Sequence, residues 1–358
     1  QGPLSIKFGQ SIANYCGSKY GLAVSSGTSA LHLALLSLNL KKNDEVITTP
    51  MTFCASVNAI LYVGARPILA DIDKTTFNLS PHEVEKKITK HTKAILTVDF
   101  RGHPCDIIGL KKICKKYNLF LIQDCCHSLG SEYIHNKKIY KCGNNMHSDI
   151  CTFSFHPVKH ITTAEGGAVT TNNKKLFKLM SLYSKHGIDR TPDLFDKNNN
   201  IGTWVYDMKL LGFNYRMSEI HASLGLSQLH KLKSFIIKRK KLVGIYDREL
   251  SKISQIELPA QLPNYNTNFH IYSILIKKKG NKDRYDLYNL FKKEGFALMV
   301  HYIPVHKLSF YKKYFKKNLQ LKNAEDYYDR TITLPLYHEL KTSQQKKVIS
   351  IIKKYFEQ

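Results

Sequence analysis

Two short and almost uninterrupted apolar runs, residues 94–98 and 119–122, constrain the fold of this chain more than any other feature. Runs of this kind are typical of strands buried on both faces of a parallel sheet, whereas half-exposed strands alternate apolar and polar residues. The sequence predicts further strands at residues 46–49, 67–70, 150–155 and 168–171. Because helical segments separate these strands, we expect an α/β fold with a large, mostly parallel sheet.

Helix signals lie between the strands. A capping box begins at Ser80 with Pro81 at the first helical position, and it predicts a helix that turns Val84 and Ile88 toward the core. Another helix is predicted after Asp106. Further along the chain we expect helices at residues 174–185 and from 218 to beyond 232, with a polar loop at 189–203.

The pattern changes after Pro259 and Pro263. Strands are then predicted at residues 270–276 and 297–302, and helices at 283–294, 322–330 and 342–356. A mixture of this kind is typical of a smaller α+β domain. We therefore divide the chain into a large α/β domain, residues 1–235, and a small C-terminal α+β domain, residues 236–358.

The formal net charge of +26 raises the question of an acidic partner such as nucleic acid or anionic lipid. The basic residues are scattered, however, and no zinc finger, RNP motif or recognisable helix-turn-helix accompanies them. General lysine enrichment explains the charge better, so a basic nucleic-acid-binding protein is a distant alternative. We expect no membrane partner, since no apolar run in the sequence is long enough to cross a bilayer.

The eight cysteines form no C-x-x-C pair and show no zinc-finger spacing. Most lie in apolar stretches, where cysteine behaves as a small hydrophobic residue, and this usage favours a reducing compartment. We therefore expect a cytoplasmic protein. His156, His160 and His306 have no third ligand at metal-binding spacing, so we predict no catalytic metal.

A single lysine, Lys159, lies in the polar loop between the predicted strands 150–155 and 168–171. A lysine that is partly buried in such a loop loses its proton more easily and can attack a carbonyl carbon. The alternative is an ordinary loop lysine whose charged end reaches solvent. The segment alone does not decide between the two.

Other segments supply the context for this lysine. The sequence SSGTS, residues 25–29, leads directly into an apolar helix, and small residues at a helix start leave N–H groups free to bind a phosphate. Asp124 follows a buried strand, where its carboxylate can hold a heterocyclic nitrogen protonated, and His127 lies three residues further on. Phe53 lies just past another strand end and can stack on a flat ring. Each feature has an ordinary structural explanation, but together they predict pyridoxal 5′-phosphate as the cofactor.

Five segments extend this interpretation to nearly the whole chain: SSGTSALHLAL, TTPMTFCAS, IQDCCHSLG, FSFHPVKHITTAEGG and LGFNYRMSEIHASLGLSQL. In their order and approximate spacing the chain resembles the DegT/StrS-type nucleotide-sugar aminotransferases. Within that family, FHPVKHIT, KHGI and HYIPVH are most similar to the aminotransferases of pseudaminic acid biosynthesis. The resemblance implies a transaminase of fold type I, like aspartate aminotransferase, with pyridoxal 5′-phosphate as its cofactor.

The resemblance also implies roles for individual residues. Lys159 would bind the cofactor covalently and shuttle a proton, and Asp124 would pair with the ring nitrogen. The other cofactor-binding residues would be Thr28, Ser29, Phe53, His127, Ser154 and, reaching the neighbouring subunit's phosphate, Asn214. The substrate-binding residues would be Gly2, Pro3 and Leu4, in a loop, together with His301, Tyr302, Ile303 and Pro304. The active sites would then be shared within a homodimer that uses a nucleotide sugar and glutamate.

Three features depart from the family pattern. Gln123 stands before Asp124 where relatives usually carry Glu, and Arg101 stands where a small residue is common. The family also normally continues N-terminally beyond the QGP segment, so we expect a substrate-binding segment there in its relatives.

The reaction implied by the resemblance is the amination of C4 in a UDP-linked 4-keto-6-deoxy-N-acetylhexosamine. Another nucleotide-linked keto sugar, carried by GDP or dTDP, is an alternative within the same family. A 3-dehydratase of the family would carry His at position 159, so Lys159 argues against that activity.

Overall fold

The structure, a computed structural model, describes residues 2–190, 204–277, 283–315 and 319–357. Its strands are β1 (Tyr20–Val24), β2 (Glu45–Thr48), β3 (Arg66–Leu69), β4 (Thr92–Val98), β5 (Phe120–Asp124), β6 (Glu132–His135), β7 (Lys138–Lys141), β8 (Ile150–Ser154), β9 (Gly167–Thr171), β10 (Ile188–Asp189), β11 (Asp207–Met208), β12 (Ile256–Glu257), β13 (Tyr265–Asn266), β14 (Tyr272–Ile276) and β15 (Thr331–Leu334). Its α-helices are α1 (Pro3–Cys16), α2 (Gly27–Leu36), α3 (Cys54–Tyr62), α4 (Pro81–Glu85), α5 (Ile107–Tyr117), α6 (Lys174–Tyr183), α7 (Glu219–Leu250), α8 (Arg284–Lys293), α9 (Lys322–Arg330) and α10 (Thr342–Glu357).

The largest sheet in the described residues has seven strands in the order β1-β9-β8-β5-β4-β2-β3. The strands from β8 to β3 pair in parallel, and β9 and β1 extend the sheet in antiparallel pairings. The predicted α/β fold is confirmed, and the sheet is mixed. Strands β4 and β5 are buried almost throughout, as their uninterrupted apolar sequences require.

Capping residues fix where several helices begin. The Asp106 side chain accepts a hydrogen bond from Gly109 N at the start of α5, and Ser218 does the same from His221 N at the start of α7. Ser80 caps α4, but this helix ends at Glu85, so Ile88 lies beyond it rather than on its inner face. Residues 191–203 of the predicted polar loop lie outside the described residues.

Two hydrophobic clusters cover the faces of the large sheet. A third is formed by the C-terminal half of α7 together with the three-stranded sheet β12-β14-β15 and helices α8 and α10. A fourth cluster joins the two parts of the chain, for example through Leu69 and Leu275. The predicted domain boundary at residue 235 falls inside α7, and the division stays a prediction.

Two sequence predictions were wrong in their local structure. Residues 297–302 form no strand: only Met299 pairs, as an isolated bridge with Thr333, and the chain then turns away from the sheet. Gly2, Pro3 and Leu4 are not a loop, because α1 begins at Pro3 with Gly2 as its N-cap. The Glu219 carboxylate accepts hydrogen bonds from the N–H groups of the first turn of α1, which explains a helix start without a capping side chain.

No helix within the described ranges combines the length and the apolar character needed to cross a membrane.

Candidate active site

The site residues predicted at strand ends lie at one edge of the large sheet. Asp124 is the last residue of β5 and pairs in register with Thr152 of β8, and β8 ends at Ser154. The loop from β8 to β9 carries Lys159, whose N–H donates to His156 O at 2.9 Å. The carboxyl ends of parallel strands form the usual ligand crevice of such sheets.

Asp124 is a buried carboxylate with neutral donors. Its Oδ1 accepts from Cys126 N at 3.0 Å and its Oδ2 from Ser56 Oγ at 3.1 Å. Burial raises the pKa of Asp124, while these hydrogen bonds and the nearby Lys159 act in the opposite direction. A buried, ionised carboxylate is stabilised most by a cationic N–H partner, and a protonated ring nitrogen is such a partner.

Lys159 is half-buried in the loop. Burial lowers its pKa below the ordinary lysine value, and the neighbouring Cys126 and Asp124 oppose that shift. A depressed pKa leaves more of the amine in its neutral form, which is the nucleophile and the proton acceptor. The surroundings of Lys159 are therefore consistent with the nucleophilic amine predicted for this loop.

The start of α2 lies directly against the end of β8. A Cβ on Gly27 would approach the Ser154 Cβ to 2.7 Å, so only glycine allows this contact. Ser26 caps the helix by accepting from Ser29 N at 3.0 Å, and the Ser29 hydroxyl is also within 2.9 Å of Ser25 Oγ. Thr28 lies half-buried in the same turn. The arrangement brings a helix N-terminus and several hydroxyl groups together, which suits a phosphate group.

His127 and Phe53 lie on either side of Tyr302. The Tyr302 hydroxyl and His127 Nε2 are 3.3 Å apart, and the Phe53 and Tyr302 ring centroids are 6.4 Å apart. Phe53 is 60% exposed, so its ring is accessible to a planar ligand. Burial, with the nearby Lys159 and other histidines, lowers the pKa of His127 well below its usual range, so the imidazole is neutral.

The chemical groups of these residues fit those of pyridoxal phosphate. The Asp124 carboxylate could pair with the ring nitrogen, and the Phe53 ring could stack on the ring face. The close contact between Gly27 and Ser154 could seat the phosphate, and Lys159 could react with the aldehyde.

Several residues of this region were missed by sequence reasoning. Ser56 donates a hydrogen bond to Asp124, and the His270 ring lies tilted against that of His127, with ring centroids 4.5 Å apart. The His160 ring lies in turn tilted against that of His270, at 5.1 Å. The position of His160 next to Lys159 was the only local signal, since Ser56 and His270 come from distant segments.

The remaining predicted residues lie in different surroundings. Asn214 is exposed, and its Oδ1 accepts from Arg216 Nε at 2.8 Å. Leu4 N donates to the Glu219 carboxylate, and the contacts of this segment do not lead to Asp124. His301 is closer to the site, because the next residue, Tyr302, contacts His127. Burial, with the nearby Lys159, lowers the pKa of His301 to about 4. Further along this segment, Ile303 is exposed and Pro304 is buried.

Comparison with known proteins agrees with this arrangement. Residues 1–353 match the DegT/DnrJ/EryC1/StrS aminotransferase family. The chain is 35% identical to a UDP-4-amino-4,6-dideoxy-N-acetyl-beta-L-altrosamine transaminase of Campylobacter jejuni, over 96% of this chain and 87% of that one.

Solved structures show the same likeness. Helicobacter pylori PseC, an aminotransferase of pseudaminic acid biosynthesis, superimposes with a TM-score of 0.89 at 33% identity, covering 100% of this chain and 92% of that one. A sugar aminotransferase from Streptococcus pneumoniae in its pyridoxamine phosphate form gives a TM-score of 0.89 at 29% identity, covering 100% of this chain and 92% of that one. The architecture is therefore the α/β fold type I of these enzymes.

The strand-end carboxylate, the loop lysine and the family match lead to one conclusion. The chain belongs to the DegT/DnrJ/EryC1/StrS family, and it is a sugar aminotransferase that depends on pyridoxal 5′-phosphate.

Proposed function

We propose that this enzyme transfers the amino group of glutamate to C4 of a UDP-linked 4-keto-6-deoxy-N-acetylhexosamine, in pseudaminic acid biosynthesis. The observation that carries the substrate is the similarity to the Campylobacter transaminase, which extends over 96% of this chain. The likeness to the pseudaminic acid enzyme of Helicobacter pylori supports it independently by structure.

The proposed catalytic residues are Lys159 and Asp124. When bound, the cofactor supplies an electron sink for a substrate carbanion. Lys159 would take up and return the proton at its Nζ, and its lowered pKa favours the neutral amine that accepts the proton. Asp124 keeps its negative charge against the ring nitrogen, and the hydrogen bonds from Ser56 and Cys126 hold the carboxylate in place.

The other cofactor-binding residues hold the cofactor in place and take no part in the reaction. We assign the phosphate to Thr28, Ser29 and Ser154, because the close approach of α2 and β8 gathers their polar groups. Phe53 covers one ring face, and neutral His127 lies on the ring-oxygen side. A neutral imidazole can donate one hydrogen bond there without adding charge to the site.

We assign the nucleotide sugar to two segments, Gly2 to Leu4 and His301 to Pro304. The second has the stronger support, since Tyr302 contacts His127 and His301 feels the charge of Lys159. The first rests on the resemblance alone.

We further propose a homodimer in which Asn214 completes the partner's phosphate site. Asn214 is exposed, as such a role requires. Large apolar side chains on the same part of the chain are also exposed, including Ile220 at 81%, Leu211 at 78% and Trp204 at 75%. Exposed apolar surface of this kind marks protein interfaces. The eight free cysteines favour a cytoplasmic location.

The test is product identification by mass spectrometry and NMR after incubation with pyridoxal phosphate, glutamate and the UDP-4-keto-6-deoxy-N-acetyl sugar epimers. We expect a 4-amino sugar from the L-arabino epimer. The Lys159→Ala variant should form none above background, because proton transfer by such a group contributes about 10²–10⁴-fold. A matched control, Lys178→Ala on α6, should keep wild-type activity.

Parallel reactions with GDP- and dTDP-linked keto sugars determine which nucleotide the sugar substrate must carry. Amination of a GDP- or dTDP-linked sugar, with none of the UDP sugars, would refute the substrate while leaving the family intact. Light scattering at several concentrations measures the oligomeric state, and a monomer that is fully active would refute the shared site.

A further inference from the structure

Arg101 is an arginine in an unexpected place. It lies in the turn after β4 with φ 61° and ψ 6°, the left-handed region that side chains other than glycine rarely adopt. It is also buried, with 4% of its surface exposed. Burial lowers the pKa of this guanidinium, so the fold bears both a backbone and a desolvation cost at one residue.

The guanidinium is enclosed by aromatic rings rather than by acids. Its Cζ is 4.7 Å from the ring centroid of Phe77, 5.8 Å from that of Phe100 and 5.9 Å from that of Tyr327. It donates to Ser273 Oγ at 3.1 Å, and this hydroxyl is 3.0 Å from the Tyr327 hydroxyl. In the described part of the chain Arg101 forms no ion pair with a carboxylate, so cation–π contacts are its main compensation.

These contacts join two distant parts of the chain. Phe77 and Phe100 come from the region of the large sheet, whereas Ser273 lies on β14 and Tyr327 on α9. The backbone makes the same connection, since Ile271 N donates to Arg101 O at 3.3 Å. Arg101 therefore holds the turn after β4 against the C-terminal part of the molecule.

The aromatic rings lead from Arg101 to the candidate active site. The Phe100 ring centroid is 6.0 Å from that of Tyr302 and 6.4 Å from that of His127. Tyr327 packs edge-on against Phe100 at 5.7 Å and is itself 5.9 Å from the guanidinium, so the three groups form one cluster. Phe100 therefore connects this cluster to the hydrogen-bonded pair of Tyr302 and His127.

We propose that Arg101 is a positioning residue that fixes Tyr302 and His127 at the cofactor by holding Phe100 in one cluster with its guanidinium and Tyr327. Arg101 itself is buried behind these rings and does not touch the cofactor. This inference rests on the proposed placement of His127 and Tyr302 beside the cofactor.

The test compares Arg101→Met, which keeps an unbranched apolar stem but loses the charged guanidinium, with Arg101→Lys, which keeps the charge but loses the planar group. Arg284→Met is the matched control, because Arg284 also stacks on a tyrosine, Tyr328 at 4.7 Å, on α9. The readouts are the dissociation constant of pyridoxal phosphate, the pH dependence of the bound cofactor's absorbance, and the urea midpoint of the apoprotein.

We expect Arg101→Met to weaken cofactor binding by about 2- to 30-fold, the range of a buried cation–π contact, and to shift the absorbance profile along the pH axis. Arg101→Lys should recover part of both effects, and Arg284→Met should change neither. A folded Arg101→Met protein with the wild-type dissociation constant and pH profile would overturn the proposal, even if its urea midpoint were lower.

A milder variant covers the case in which Arg101→Met does not fold. Ser273→Ala removes one hydrogen bond of the guanidinium and the contact of the same hydroxyl with the Tyr327 hydroxyl, and it deletes none of the aromatic rings. It should shift the dissociation constant and the absorbance profile in the same direction as Arg101→Met by a smaller factor. Wild-type values of both would refute the proposal. Failure of the wild-type protein itself to bind pyridoxal phosphate would instead refute the assigned cofactor site.

Discussion

The contact between Gly27 and Ser154 offers a direct test of how the phosphate site is built. In Gly27→Ala the new Cβ would lie 2.7 Å from Ser154 Cβ and 3.1 Å from its Oγ, so α2 and β8 must move apart. Overpacking of this kind costs about 1–3 kcal/mol. Because a bound phosphate draws Thr28, Ser29 and Ser154 together, we expect the cost to appear as cofactor binding that is weaker by about 5- to 150-fold.

Gly244 provides the control for this substitution. It lies in the interior of α7, and a Cβ there would meet no atom within 4 Å. Gly244→Ala should therefore raise the free energy of unfolding by about 0.8–1.0 kcal/mol through helix propensity and leave cofactor affinity unchanged. The assay is titration of each apoprotein with pyridoxal phosphate, followed by absorbance, beside urea unfolding. If Gly27→Ala binds the cofactor as tightly as Gly244→Ala and unfolds at the wild-type urea concentration, the close packing of α2 on β8 is not required.

Two further predictions concern titrating groups. Ser56→Ala removes a donor to Asp124 Oδ2 that is worth about 1.5–3 kcal/mol, so the pKa of that carboxyl rises further. Cofactor binding measured against pH should then fail at a higher pH than in wild type, whereas exposed Ser234→Ala should leave the profile unmoved. Burial lowers the pKa of His270 well below its usual value, and the groups that face it are His127, Lys159, His160 and Arg239. The stability linked to His270 is therefore complete above the unfolded pKa of about 6.5 and is lost as the pH falls below it. His270→Phe should lose less of its urea midpoint between about pH 7.5 and pH 5.5 than wild type, and equal losses would contradict this reasoning.

The strand-end residues of the site were predictable because their signals are local. Asp124 directly follows a buried apolar run, and Lys159 lies between two strands, so each could be placed at an edge of the sheet from its neighbours in sequence. Ser56 could not be placed in this way, and Tyr302 was expected only through the family resemblance, since their partners Asp124 and His127 are 68 and 175 residues away along the chain. Contacts of that separation depend on how the helices and the C-terminal part pack, which periodicity does not encode.

The failed local predictions have related causes. The apolar sequence of residues 297–302 is typical of a strand, but only Met299 finds a backbone partner, and the chain turns so that His301 and Tyr302 face the site. The start of α1 at Pro3 depends on Glu219, a carboxylate more than two hundred residues away that serves as its cap. Local propensity was overruled in both places by a tertiary contact.

The electrostatics of the site explain how a lysine can act as a base in a chain with a net charge of +26. Most of that charge is on exposed side chains, where solvent and salt screen it. Around Lys159 the titrating neighbours are the imidazoles of His127, His160, His270 and His301, which burial keeps neutral, together with Cys126 and the carboxyl of Asp124. Desolvation outweighs Cys126 and Asp124 in setting the pKa of Lys159, so the depressed value follows from the fold rather than from repulsion by the surface charge.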